Sequence, residues 1–300
     1  KSLAPTPPLP LPSDRTPPES PMTTAPATKF PWPDDRIARI TAYRAPEPLT
    51  IDGKLDEKAW KLAPRSPRFV DLITGRPTIH DTRAAVLWDD THLYVGFWVE
   101  EPFVAAKLTE RDSLIWSEND VELFIAGEDA YYEFEINALG TLYEALFIWD
   151  EAYERGGFAA DPQFARNGEG AKPWNGVGYT THPRGTRLGL FKWDLPGLRA
   201  AAHVDGTIND DTDRDRGWTA EIAIPWSGLE WLAKGDNRAL PPPDGDVWRM
   251  DFSRFNTYRE AAPANDSGGW AMNAHGIWDS HIPELFPYVT FSNKLVGETG

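Results

Sequence analysis

Trp116 stands in the run Ser113-Leu-Ile-Trp-Ser-Glu-Asn-Asp-Val-Glu-Leu-Phe-Ile125, a polar loop that leads into a strand pattern carrying Asp120 and Glu122. An indole face can lie against the axial C–H patch of a pyranose, and carboxylates can accept from its hydroxyls. Side chains on a strand alternate between faces. Over the strand expected at 119–126, Val121, Leu123 and Ile125 share one face, and Asp120, Glu122 and Phe124 the other. Over a partner strand at 130–137, Tyr132, Phe134 and Ile136 share the apolar face, and Glu133, Glu135 and Asn137 the polar one. Carboxylates and an amide then gather beside the loop that holds the ring, which suits a saccharide-binding face. The solvated face of an ordinary antiparallel sheet would have the same composition. Paired carboxylates also act as acid and base in glycoside hydrolysis. Two of Asp120, Glu122, Glu133, Glu135 and Asp279 would then be the catalytic pair, with Glu122, Glu135 and Asp120 foremost.

Other chemistry is less marked. Asp211, Asp213 and Asp215 alternate ahead of Gly217, a spacing of oxygen ligands that can wrap Ca²⁺. The twelfth-position Glu of an EF-hand is missing, and Arg214 and Arg216 could instead neutralise the aspartates. The six histidines include no i, i+4 pair, so a histidine zinc site is not indicated. His275 and His281 flank Trp278 and could line a site. P-loop, G-x-G-x-x-G and G-x-S-x-G patterns are absent, so nucleotide binding and serine hydrolysis lack support. The methionines are Met22, Met250 and Met272. Met250 alternates with Trp248 and Phe252 as a core residue would, so haem ligation is not expected.

A net charge of −16 argues against nucleic acid or an anionic membrane surface as partner. With no cysteine, disulfides and thiolate metal sites are excluded. No apolar run reaches the length of a membrane span. The first residue is Lys1 and no apolar leader follows, so any signal peptide is expected to have been removed already. A secreted, periplasmic or cell-surface location is the expectation. Fourteen tryptophans exceed what core packing usually needs, so two or three are expected to serve as ligand platforms.

The elements that must position these groups follow from periodicity. Eleven prolines fall between Pro5 and Pro33, so residues 1–35 read as a Pro-rich linker or tether to a possible upstream domain. Residues 36–300 read as one domain. Leu55, Ala59, Trp60 and Leu62 fit a short amphipathic helix. Strands are expected at 40–43, 82–88, 92–100, 119–126, 130–137, 141–147, 176–181, 199–204, 218–224, 247–256 and 288–291. A short helix is expected from Pro225 to Leu232. The segments 149–174 and 269–283 read as long loops, which are often functional. Short strands separated by turn signals predict an all-β antiparallel sandwich with a few short helices.

Several motifs resemble those of the family 9 carbohydrate-binding modules and, over roughly residues 40 to 292, the family 9-like sugar-binding proteins of bacteria. They are Ile51-Asp-Gly53 with Leu55-Asp-Glu-Lys-Ala-Trp60, Ala85-Val-Leu-Trp-Asp-Asp90, Leu93-Tyr-Val95, Trp116 with Asn119–Ile125, and Tyr132-Glu-Phe-Glu-Ile-Asn137. Gly217–Trp226 and Phe286–Phe291 continue the match. The resemblance implies a β-sandwich of the DOMON type, usually non-catalytic and carrying structural calcium, that clamps a sugar between two tryptophans. By that resemblance Trp116 is one ring and Trp278 the other. Glu122 and Asn137 match polar positions that hold hydroxyls. The chain departs from the family where Glu135 replaces an Arg and His275 replaces an Asn. Sugar contacts are therefore expected from Trp116, Trp278, Glu122, Glu135 and Asn137, with His275 or Arg254 as further partners. Glu135 would equally suit a glycan-cleaving hydrolase.

Overall fold

The computed structural model describes residues 34–257 and 266–298. Residues 1–33 of the expected Pro-rich linker lie outside the described residues.

The architecture is a β-sandwich closed through one bent strand. One layer is built from β3 (Thr82–Trp88), β4 (His92–Glu100), β10 (Arg199–Asp205) and β11 (Gly217–Pro225), ordered β10-β11-β4-β3. The other contains β5 (Asp120–Ala126), β6 (Ala130–Asn137), β7 (Leu142–Trp149), β8 (Ala171–Trp174), β9 (Arg187–Leu190), β12 (Val247–Phe255) and β14 (Tyr288–Leu295). Its order is β14-β12-β5-β6-β7-β9-β8. Strand β1 (Arg39–Arg44) joins them. Residues Arg39 to Tyr43 pair with β14, and Tyr43 and Arg44 also pair with β3. Both pairings are parallel, so the sheet is mixed and not wholly antiparallel as expected. The parallel partners lie far apart in sequence, and no local turn signal announces such a pairing. Short β2 (Val70–Asp71) and β13 (Gly269–Ala271) add to the edge of β12.

Alternation sets the core. Val121, Leu123 and Ile125 of β5 and Tyr132, Phe134 and Ile136 of β6 face Val86, Val95, Phe97 and Ile222 of the first layer in one buried cluster. Phe97 and Phe252 meet between the layers at 6.1 Å. Each fully buried apolar side chain of this size contributes roughly 1.5–3 kcal/mol.

The first family-like motif is fold-defining. Gly53 has φ of 84°, and a Cβ there would meet the Ala202 backbone at 2.5 Å, so this turn needs glycine. Glu221 of β11 accepts from the N–H groups of Asp52 and Gly53 and from Trp60 Nε1. Trp60 lies on α1 (Lys58–Leu62). One buried carboxylate thus binds turn and helix to the sheet.

Three expectations are corrected. The strand expected at 176–181 is a turn: Asp279 Oδ2 accepts from the N–H groups of Val177, Gly178 and Tyr179, and Gly176 has φ of 93°. Segment 149–174 is packed and not an open loop. Its short 3₁₀ turns bury Phe158 and Phe164 against Trp231, and it ends in β8. Segment 269–283 begins as β13. Among the described residues, no helix is long and apolar enough to cross a membrane.

Candidate functional site

The outer face of the second layer holds the candidate residues. Register places Ser253, Glu122 and Glu135 in one row across β12, β5 and β6, with Tyr143 of β7 next to Glu135. The adjacent row is Phe255, Asp120 and Asn137. Alternation read from sequence put these groups on one face, and the structure does the same. That face is not solvated, however. All residues of β5 and β6 are buried. One end is covered by Trp174, His281 and Phe286, which pack on Phe147 and Tyr131.

The acidic groups have few cationic partners. Glu122 Oε2 accepts from Ser253 Oγ at 2.8 Å, Glu135 Oε2 from the Trp116 N–H at 3.2 Å, and Asp120 Oδ1 from the Phe255 N–H at 3.2 Å. Glu133 lies 3.6 Å from His281 Nε2. One carboxylate oxygen from each of Asp120, Glu122 and Glu135 falls within 4.8 Å of the others. Burial pushes Glu122, Glu133 and Glu135 well above the usual carboxylate range, and the charge of Asp120 pushes them further. Oxygens as close as those of Asp120, Glu122 and Glu135 can share protons, and the same geometry could hold a cation. A protonated member donates as well as accepts, which widens what it can offer a hydroxyl.

This has a consequence for stability. A carboxyl whose folded pKa is raised stabilises fully below its unfolded value, and that contribution is lost as pH rises through the folded pKa. Glu135→Gln keeps an acceptor for the Trp116 N–H and cannot ionise. The variant is expected to be more stable than wild type at pH 8 by about 1–2 kcal/mol, with the gap closing towards pH 5. Thermal melts at the two pH values read this directly. An equal gap at both would contradict the assignment. His281 works the other way. Burial lowers it to about 4, so its contribution is present above the unfolded value of 6.5 and lost on acidification in both proteins.

The two tryptophans differ. Trp116 is 38% exposed, and among the described residues it is the one exposed tryptophan. Its short 3₁₀ turn, Ile115–Ser117, buries Ile115 and leaves the indole outside. Trp278 is half-buried, its ring packed edge-on against Phe255 at 5.0 Å. Phe255 pairs with Asp120, and Trp116 is tied to Glu135. The two tryptophans therefore attach to opposite flanks of one three-strand strip, roughly 10 Å wide by strand spacing.

Other expected contacts do not reach the strip. Arg254 is a correction. It shares parity with Met250 and Phe252 and so points between the layers. Its guanidinium donates to Thr82 Oγ1 and the Glu100 carbonyl at 2.9 Å and pairs with Glu101 at 3.3 Å. Asn137 is buried with its amide consumed, donating to Leu108 O and Glu118 and accepting from Leu139 and Thr141 N–H. It shapes the loop under Trp116. His275 is also buried, with Nδ1 2.8 Å from the Asp279 carbonyl and Nε2 3.5 Å from Asp251. Asp279 is spent on the 177–179 turn. Although burial raises it, His281 and the N–H donors bring it below its ordinary value.

Of the three aspartates expected to hold calcium, Asp213 and Asp215 both accept from Thr207 Oγ1 at 3.3 Å. Asp215 turns inward, accepting from the N–H groups of Val104 and Thr207, while Asp211 and Asp213 stay exposed. Residues not singled out from sequence are Ser253, Phe255, Tyr143 and Asp251. For the three on β12 a signal existed, since Met250 and Phe252 in the core place Asp251, Ser253 and Phe255 on the outer face.

Residues 76–153, about a quarter of the chain, match the model of carbohydrate-binding family 9. That span carries Trp116 and the acidic strands β5 and β6. A presumptive carbohydrate-binding protein of known structure from Bacteroides uniformis superposes with a TM-score of 0.53 at 15% identity, covering 85% of this chain and all of that one. A family 9 module from Caldicellulosiruptor kristjanssonii in complex with glucose gives 0.47 at 14% identity, covering 87% of this chain and 100% of its own. A family 9 module from the same organism in complex with cellotriose gives 0.47 at 14%, covering 85% of this chain and 95% of its own. No curated protein matches the chain. The resemblance read from the motifs is thus borne out: the chain is similar to carbohydrate-binding family 9 in its central strands, and it shares a fold with a presumptive carbohydrate-binding protein.

Proposed function

We propose that the protein binds carbohydrate without transforming it, at the strip between Trp116 and Trp278. The observation that carries this reading is Trp116: an indole kept out of the core on a turn whose backbone N–H, that of Trp116 itself, donates to Glu135. A pyranose ring would lie on that indole, with Trp278 as the second wall. Glu122 and Glu135 would take its hydroxyls. Likeness to carbohydrate-binding family 9 over residues 76–153 supports the same reading. Ring faces supply affinity, and the desolvated carboxyls supply selectivity, since an unmatched partner leaves them unpaired. A site of this kind has a micromolar-to-millimolar dissociation constant, about −4 to −8 kcal/mol. A secreted, periplasmic or surface location, with the Pro-rich segment as tether, fits this role.

Glucose, cellotriose and a panel of other soluble glycans, titrated calorimetrically, test the proposal. Saturable heat with at least one saccharide, and no new reducing ends after prolonged incubation, is the expected result. New reducing ends would replace it with hydrolysis by the Glu122, Glu135 and Asp120 group. Absence of binding across the panel would reject both.

A further inference from the structure

A cavity of about 480 Å³ opens on the other side of the sandwich, on the outer face of the first layer. Its floor is a single register row. Arg83 pairs with Trp98, Trp98 with Thr219, and Thr219 with His203, across β3, β4, β11 and β10. The loop after the Asp52–Gly53 turn supplies Lys54 and Asp56, and the segment after α1 supplies Arg65.

Its lining carries four cations, Lys54, Arg65, Arg83 and Arg216, and four acids, Asp56, Asp81, Glu100 and Asp205, and only some of them are paired. Arg83 is held by Asp81 at 3.0 Å, and Arg216 by both oxygens of Asp205 at 2.6 Å. Glu100 accepts from the Asp81 N–H. Arg65 lies over the Trp98 ring at 4.0 Å, and among the described residues neither Arg65 nor Lys54 forms an ion pair. Asp56 and Glu100 are the acids of the lining that likewise form no ion pair among the described residues, and the charge of Asp81 also acts on Arg65. Burial lowers the Arg65 pKa and the nearby Arg83 lowers it further, while Asp81 acts the other way. Arginine stacked on an aromatic face keeps its donor fork pre-organised for a carboxylate. The indole and the hydroxyl and imidazole of the same row give a ring-shaped, hydroxylated ligand something to rest on. The volume lies in the range of small-molecule sites. In a chain with a net charge of −16, such a site acts by local contacts, since the overall field repels anions.

We propose that this cavity is a second saccharide site, selective for a sugar bearing a carboxylate, a uronic acid residue. Arg65 and Lys54 take the carboxylate, Trp98 walls the ring, and His203 and Thr219 lie under its hydroxyls. The site is separate from the Trp116 strip and stands whether or not that strip binds sugar.

The test uses the full chain with methyl glucuronide, methyl glucoside and acetate as probes in calorimetry or ligand-observed NMR. Methyl glucuronide is expected to bind more tightly than either other probe and to weaken as salt is raised. Arg65→Gln is expected to weaken it about tenfold, and Lys54→Met to weaken it as well. Both side chains are exposed, so melting temperatures should stay at the wild-type value. Trp116→Ala should leave glucuronide affinity unchanged. Glucuronide no tighter than acetate would overturn the sugar assignment. Affinity insensitive to Arg65→Gln and Lys54→Met, affinity lost in Trp116→Ala, or no glucuronide binding would overturn the site.

Discussion

Trp116→Ala is expected to remove about 2 kcal/mol or more of saccharide affinity, the scale of an aromatic hot spot, which is roughly thirtyfold. Its effect on folding should be smaller, about 0.5 kcal/mol, because Trp116 belongs to none of the buried apolar clusters. Calorimetry and a thermal melt on the same sample separate the two quantities. Trp278→Ala should behave differently. That ring packs on Phe255 and against Gly269, so its loss should lower both affinity and melting temperature. Equal affinity in Trp116→Ala and wild type would remove the indole from the site.

Arg254→Ala is expected to cost about 3–5 kcal/mol of stability, as breaking a buried ion pair does. Arg254 lies on β12, yet it reaches Thr82 on β3, the Glu100 carbonyl on β4, and Glu101. It therefore ties one layer to the other. Its removal leaves Glu101 buried, still accepting from Trp218 Nε1 and Asn119, with its cation gone. Urea denaturation followed by circular dichroism at pH 7 measures the loss. Arg254→Lys should recover part of it, since a point charge replaces a fork that makes several bonds at once. An Arg254→Ala protein of wild-type stability that no longer bound sugar would return Arg254 to the site.

The contrast between Arg254 and Trp116 shows what the sequence could and could not say. Parity along β5 and β6 placed Asp120, Glu122, Glu133 and Glu135 on one face, and the register agrees. The same parity along β12 assigns Arg254 to the interior, but its charge suggested a surface role. A buried guanidinium with several acceptors was the alternative that local pattern could not weigh. The burial of the acidic face was also invisible. It depends on Trp174, His281 and Phe286, which lie far along the chain from β5 and β6. The parallel pairing of β1 with β14 joins the two ends of the described chain and has no local signature. Strand 176–181 failed for a similar reason. Its backbone N–H groups are taken by Asp279, about a hundred residues away. The motifs Ile51-Asp-Gly53, Trp60 and Glu221 were legible as a resemblance, and the structure gives their cause in one shared carboxylate.

A crystal structure of the protein soaked with its tightest-binding neutral saccharide tests the central claim most directly. The expected density is a pyranose ring lying against the Trp116 indole, with Trp278 on its other side and hydroxyls within hydrogen-bond distance of Glu122 or Glu135. A ring bound elsewhere, with Trp116 untouched and those carboxyls still sealed from it, would contradict the claim.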